Sequence, residues 1–110
     1  MLIPKKIFQT FETTLLPEGM SKACLSWKIK NPDWQYCFFD KNDRVEFIKK
    51  HFSDDVLNAY LTLIPGAFKA DLWRYCVLYI EGGVYIDADT ICELPLNNWI
   101  LGDNHFIATR

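Results

Sequence analysis

This sequence predicts an α/β domain, and three observations predict it. Strand-like and helix-like segments alternate along the chain. One run, "WQYCFFD" at residues 34–40, is nearly all apolar or aromatic, as a strand covered on both faces tends to be. A glycine pair, Gly82-Gly83, joins a long helix directly to an apolar strand. The composition permits such a fold: 110 residues make one domain at most, and 50% apolar with 15% aromatic residues can build a core.

The first strand is expected over Ile3 to Phe11, rich in Ile, Phe and Thr, with "LLPEGM" breaking it. A helix follows from Ser21 to Lys30, with Ala23, Trp27 and Lys30 at helical spacing, and Asn31-Pro32 stops it. The second strand is "WQYCFFD", ended by Asp40. Asp43 to Phe52 then makes a short helix whose apolar stripe is Val45, Phe47, Ile48 and Phe52. Ser53 is an N-cap candidate, and Asp54 and Asp55 sit in the next first turn, where the helix dipole favours acids. That helix carries Val56, Leu57, Tyr60 and Leu61 and stops before Ile64-Pro65. Another runs from Gly66 to Glu81, with a core face of Phe68, Leu72, Tyr75, Cys76 and Tyr79. Gly82-Gly83 ends it, because glycine adopts the left-handed conformation without strain. A third strand, Val84 to Asp87, follows at once, and "HFIATR" reads as the start of a fourth.

A net charge of −2 without a basic run argues against nucleic acid or an anionic membrane surface as partner. His51 and His105 have no His or Cys at zinc-ligand spacing and read as surface or packing residues. Cys24, Cys37, Cys76 and Cys92 form no CxxC pair and read as reduced, buried thiols, although an even count leaves disulfides open in a secreted chain. The N-terminus does not read as a signal peptide, and no stretch of the sequence approaches the ~20 apolar residues of a transmembrane segment.

The chemistry concentrates in "EGGVYIDADT", residues 81–90, where Asp87 and Asp89 close an apolar run. If the strand continues through Asp89, alternation puts Tyr85, Asp87 and Asp89 on one side and Val84, Ile86 and Ala88 on the other. The acids then lie at the carboxyl end of the strand, where open α/β sheets bind ligands. Neighbouring carboxylates repel, and a divalent cation reverses that sign. Oxygen ligands suit Mg2+ or Mn2+, held by one or two carboxylates and a substrate's phosphate oxygens. The plain alternative is a polar strand end whose acids are solvated. Asp71 and Arg74, three apart on the preceding helix, share a face beside its apolar stripe. They are either a surface ion pair worth about 0.3 kcal/mol, or a carboxylate and a guanidinium fork that bind a sugar's hydroxyls.

"KADLWRYCVLYIEGGVYIDADT" closely resembles the signature of the DxD-containing sugar transferases of glycosyltransferase family 32, which include fungal α-mannosyltransferases and bacterial capsule enzymes. Its fixed positions are present as Ala70, Asp71, Arg74, Gly82, Gly83, Tyr85, Asp87 and Asp89. "IPKKIFQTF" is similar to the family's first strand, with Phe8 and Phe11 in place of the usual His and Trp, and "NPDWQYCFFD" resembles its next segment. The resemblance implies the N-terminal, nucleotide-sugar-binding, Rossmann-like portion of a GT-A fold over residues 1–110, incomplete because the acceptor-binding part is missing. It implies metal-dependent transfer of a hexose, with retention, from a nucleotide-sugar donor to a glycan or other hydroxyl acceptor. Asp89 would be the metal ligand, with Mn2+ or Mg2+ as cofactor. Asp87 would contact the ribose and sugar hydroxyls, Asp71 and Arg74 would hold the transferred sugar, and Tyr85 would pack near the diphosphate. Gln9 and Thr10 would sit near the nucleoside.

Two alternatives stand beside it. "VYIDADTI" also fits the opening motif of a haloacid-dehalogenase-like phosphatase, with Asp87 as nucleophile and Asp89 as acid/base. That motif normally opens its domain, and the residues after it here contain no lysine. The other alternative is a truncated, non-catalytic donor-binding remnant. The thiols and the lack of an anchor point to a cytoplasmic location, with the Golgi lumen expected for a fragment of a membrane-anchored fungal enzyme.

Overall fold

The computed structural model describes residues 3–62, 66–98 and 106–109. Its elements run β1 (Lys6–Thr10), α1 (Glu18–Lys30), β2 (Gln35–Phe39), α2 (Lys41–His51), α3 (Asp54–Thr62), α4 (Gly66–Glu81), β3 (Gly83–Ile86), a short 3-10 turn (Leu96–Asn98) and β4 (Phe106–Thr109). The strands form one sheet in the order β2-β1-β3-β4, with every pair parallel. The α/β class is therefore borne out. Successive parallel strands need long connections, which α1 supplies between β1 and β2 and α2–α4 between β2 and β3.

Helices cover both faces of the sheet. On one side Phe8 and Tyr85 of the strands pack with Phe47, Ile48, Tyr60, Trp73 and Val77 from α2–α4. On the other, Ile7, Val84 and Ile86 pack with Trp27 of α1, Trp34, Cys92 and Leu96. Strand alternation sets this division, since Ile7 and Phe8, like Val84 and Tyr85, go to opposite layers.

Several boundaries differ from expectation for identifiable reasons. α1 begins at Glu18, three residues before Ser21, because Pro17 precedes it with φ already at −52°. α2 begins at Lys41, since Asp40 is more than a strand end: its side chain accepts from Asp43 N–H while the Asp43 carboxylate accepts from Asp40 N–H. β2 is an edge strand, so its aromatic run is half-buried rather than covered on both faces. In α4 the buried face is Trp73, Arg74, Cys76, Val77 and Leu78, whereas Tyr75 and Tyr79 are exposed. Phe68 and the Ile64-Pro65 break lie outside the described side chains and residues, as does His105. The Gly66–Glu81 span and the fourth strand are found as expected.

At the end of α4 the glycine pair has positive φ, 69° at Gly82 and 98° at Gly83. A Cβ at Gly83 would lie 2.7 Å from the Lys6 carbonyl oxygen. Glycine there lets β3 run close beside β1. All four cysteines are free, with Cys24, Cys76 and Cys92 buried and Cys37 half-buried.

Candidate functional site

β1 and β3 are parallel neighbours, with Phe8 opposite Tyr85, so their carboxyl ends lie side by side. A cavity of about 320 Å3 opens there. Thr10, Phe11 and Glu12 line it from the end of β1, and Tyr85, Asp87, Ala88 and Asp89 from the end of β3. Met20, Arg44 and Ala70 complete its wall.

β3 stops at Ile86 and does not continue through Asp89. The acids instead occupy a turn in which Thr90 N–H donates to the Asp87 carbonyl at 3.1 Å. Tyr85, Asp87 and Asp89 nevertheless border the same space, with Asp87 half-buried and Asp89 exposed. Burial pushes the Tyr85 phenol well above its ordinary pKa, and the Asp87 charge and hydrogen bond push it further. Tyr85 therefore stays a neutral hydroxyl at physiological pH.

Arg74 and Asp71 approach from behind this wall. Arg74 is only 4% exposed, its Nη2 is 3.5 Å from an Asp71 carboxylate oxygen, and its Cζ lies 5.5 Å from the Tyr85 ring centroid. The pair is half at the surface, with the guanidinium buried and 39% of the Asp71 side chain exposed. Neither residue lines the cavity itself, although Ala70, four residues before Arg74 and so on the same helix face, does. The Nε of Arg74 and the Nε1 of Trp73 are buried without a hydrogen-bond partner among the described residues.

Gln9 and Thr10 are consecutive, so they serve opposite layers. Thr10 lines the cavity, but its hydroxyl donates to the Phe39 carbonyl at 2.7 Å and accepts from Arg44 at 2.6 Å. Gln9 is fully buried; its Nε2 donates to the Asp87 carbonyl at 3.2 Å and its Oε1 accepts from the Tyr36 hydroxyl at 2.7 Å.

Sequence reasoning missed Arg44. It is 1% exposed, and its guanidinium donates to Tyr60 Oη (2.8 Å), Thr10 Oγ1 (2.6 Å) and Glu12 Oε1 (2.6 Å). Burial opposes its charge, but the hydrogen bonds to Tyr60 and Glu12 outweigh that and raise its pKa. The available signal was its spacing: Arg44, Phe47 and Ile48 share one face of α2.

Three carboxylates line the cavity, Glu12, Asp87 and Asp89, with Glu12 engaged by Arg44, and no group of three or more His, Cys, Asp or Glu suited to a metal occurs among the described residues. That donor set does not make a closed protein cage. It fits a hard cation that takes most of its shell from phosphate oxygens and water.

A cavity at the carboxyl ends of parallel strands is where open α/β sheets bind ligands; this one is bordered by an Asp-x-Asp turn, and residues 17–106 match the family described as "Glycosyltransferase sugar-binding region containing DXD motif". The chain belongs to that family, as its resemblance to glycosyltransferase family 32 predicted. It is similar to the initiation-specific alpha-1,6-mannosyltransferase of Candida albicans, 33% identical over 103 residues covering 88% of this chain and 27% of the relative. It is also similar to inositol phosphoceramide mannosyltransferase 2 of Schizosaccharomyces pombe, 36% identical over 98 residues covering 88% of this chain and 28% of the relative. The chain thus spans about a quarter of the length of the curated relatives it matches. No solved structure matches it. No helix among the described residues is long and apolar enough to cross a membrane.

Proposed function

We propose that this chain is the donor-binding part of a hexosyltransferase that moves a sugar from a nucleotide-sugar donor to a glycan or other hydroxyl acceptor, with retention. The observation that carries it is the convergence of Thr10, Tyr85, Asp87 and Asp89 on one cavity, with Arg74 packed behind Tyr85. The names of the relatives favour mannose as the hexose.

In this reading Asp89, the exposed acid, holds Mn2+ or Mg2+, and half-buried Asp87 accepts from ribose and sugar hydroxyls. A divalent cation bound there would offset the negative charge that builds on the departing diphosphate. Asp71 and Arg74, which the resemblance assigns to the transferred sugar, stand behind Tyr85 rather than in the cavity, so in this reading they serve the sugar by positioning Tyr85. Tyr85, kept protonated, offers a hydroxyl near the diphosphate. Thr10 borders the nucleoside end, and Gln9 supports it from inside the wall through Asp87.

A panel of UDP- and GDP-linked sugars scored by thermal shift, with and without Mn2+, tests the proposal. A ligand that binds only the folded state raises its apparent stability. A cognate donor is expected to raise the melting temperature only with Mn2+. No shift by any donor refutes the donor site, and binding without turnover points to the non-catalytic remnant. Metal-dependent phosphate release from a simple phosphomonoester would revive the phosphatase alternative, which the family match does not favour.

A further inference from the structure

β3 ends at Ile86, and the carbonyls that follow leave the sheet ladder. Side chains from the opposite layer take them up one after another. Asp87 O accepts from Gln9 Nε2 at 3.2 Å, Ala88 O from the Cys24 thiol at 3.4 Å, and Thr90 O from Trp27 Nε1 at 2.7 Å. Cys92 N–H then donates to Ser26 Oγ at 2.8 Å. Gln9 is itself fixed by the Tyr36 hydroxyl at 2.7 Å. Gln9, Cys24 and Trp27 are all buried, so these bonds are sheltered from competing water.

We propose that Trp27 and the Tyr36–Gln9 pair are positioning residues that clamp the Asp87–Asp89 turn from behind, so that both carboxylates meet the cavity already oriented. The inference rests on the donor-site reading and deepens it. The clamp works because it is one-sided. The backbone of the turn is held by α1 and β1 on the α1 layer, while Tyr85, Asp87 and Asp89 border the cavity. With Glu12 held by Arg44, Asp87 and Asp89 are the lining carboxylates left for a cation, so the cost of orienting them falls on their supports.

The test compares wild type with Trp27→Phe and Tyr36→Phe, which keep a ring in place and delete one donor each. Amide exchange of residues 87–92 is followed by mass spectrometry. Uptake of Mn2+, in the presence of UDP or GDP in separate titrations, is followed by the electron paramagnetic resonance of the free ion. Both variants are expected to exchange about tenfold faster in 87–92, and to bind Mn2+ about tenfold more weakly, with exchange in α4 unchanged. Unchanged exchange in 87–92, or faster exchange with undiminished Mn2+ affinity, overturns the proposal. Should Trp27→Phe fail to fold, Tyr36→Phe carries both measurements. If wild type takes up no Mn2+, the donor-site reading fails, and the exchange arm alone decides whether these side chains hold the turn.

Discussion

Three glycines give a graded test of how β3 is brought to the site. Gly83 has φ 98°, and an added Cβ would stand 2.7 Å from Lys6 O, 3.2 Å from Lys6 Cβ and 3.3 Å from Phe8 Cε2. The first contact is with backbone, so relief requires β1 and β3 to separate where Ile7 pairs Val84 and Phe8 pairs Tyr85. Backbone strain at such a φ is about 1–3 kcal/mol, and with the clash Gly83→Ala should lose about 3–4 kcal/mol. Gly82 has φ 69°, and its Cβ would meet only the Pro4 ring, at 3.0 Å. Gly82→Ala should therefore cost about 1–2 kcal/mol, the left-handed penalty alone. Gly19 lies inside α1 with nothing within 4 Å, so Gly19→Ala should stabilise by about 0.5–1 kcal/mol. Urea unfolding followed by tryptophan fluorescence measures all three. If Gly83→Ala costs no more than Gly82→Ala, the close approach of β3 to β1 is not as described, and if Gly19→Ala destabilises, the open surroundings of Gly19 in α1 are not.

Arg44→Met should lose about 2–3 kcal/mol in urea unfolding, because the Thr10 and Tyr60 hydroxyls lose a buried partner while half-exposed Glu12 can rehydrate. Arg44→Lys should not restore it, since one ammonium cannot span three acceptors. The Tyr85 and Tyr36 phenols are raised above the ordinary value of 10.0, in both cases chiefly by burial. The folded state thus holds these protons more tightly than the unfolded chain, an advantage complete below pH 10 and lost as pH rises through the raised values. Stability should fall above pH 10, and Tyr36→Phe should flatten that fall in melting curves. Burial raises the thiols of Cys24, Cys37 and Cys76. Only Cys37 of the four is not fully buried, so alkylation with mass-spectrometric readout should label it first, and faster as pH rises.

The fold was legible where local signals agreed. α4 keeps its expected ends because a glycine pair marks one of them, and β4 was visible in "HFIATR". The phase of α4 was not legible. Leu72, Trp73, Cys76, Val77, Leu78, Tyr79 and Ile80 are apolar all round the helix, so sequence cannot say that Trp73 and Val77 go inward and Tyr75 and Tyr79 outward. β2 misled for a similar reason. Its aromatic run describes side chains that can be buried, while sheet order decides whether they are. At the site, the motif residues were found from spacing, but Arg44 was not, since a charge inside a helical stripe reads as solvated until Thr10, Tyr60 and Glu12 are seen around it. The turn after Ile86 was likewise hidden: strand alternation through Asp89 was the expectation, and long-range side-chain bonds place the acids instead.

Calorimetric titration of the cognate nucleotide sugar into wild type and Asp89→Asn, each with and without Mn2+, tests the donor site most directly. Wild type should bind at least about tenfold more tightly with the ion, the scale of one lost charge-assisted contact. Asp89→Asn should bind weakly and equally in both conditions. Binding by wild type that ignores Mn2+, or an Asp89→Asn chain that keeps the full metal dependence, would contradict the assignment of that carboxylate to a cation beside the donor's diphosphate.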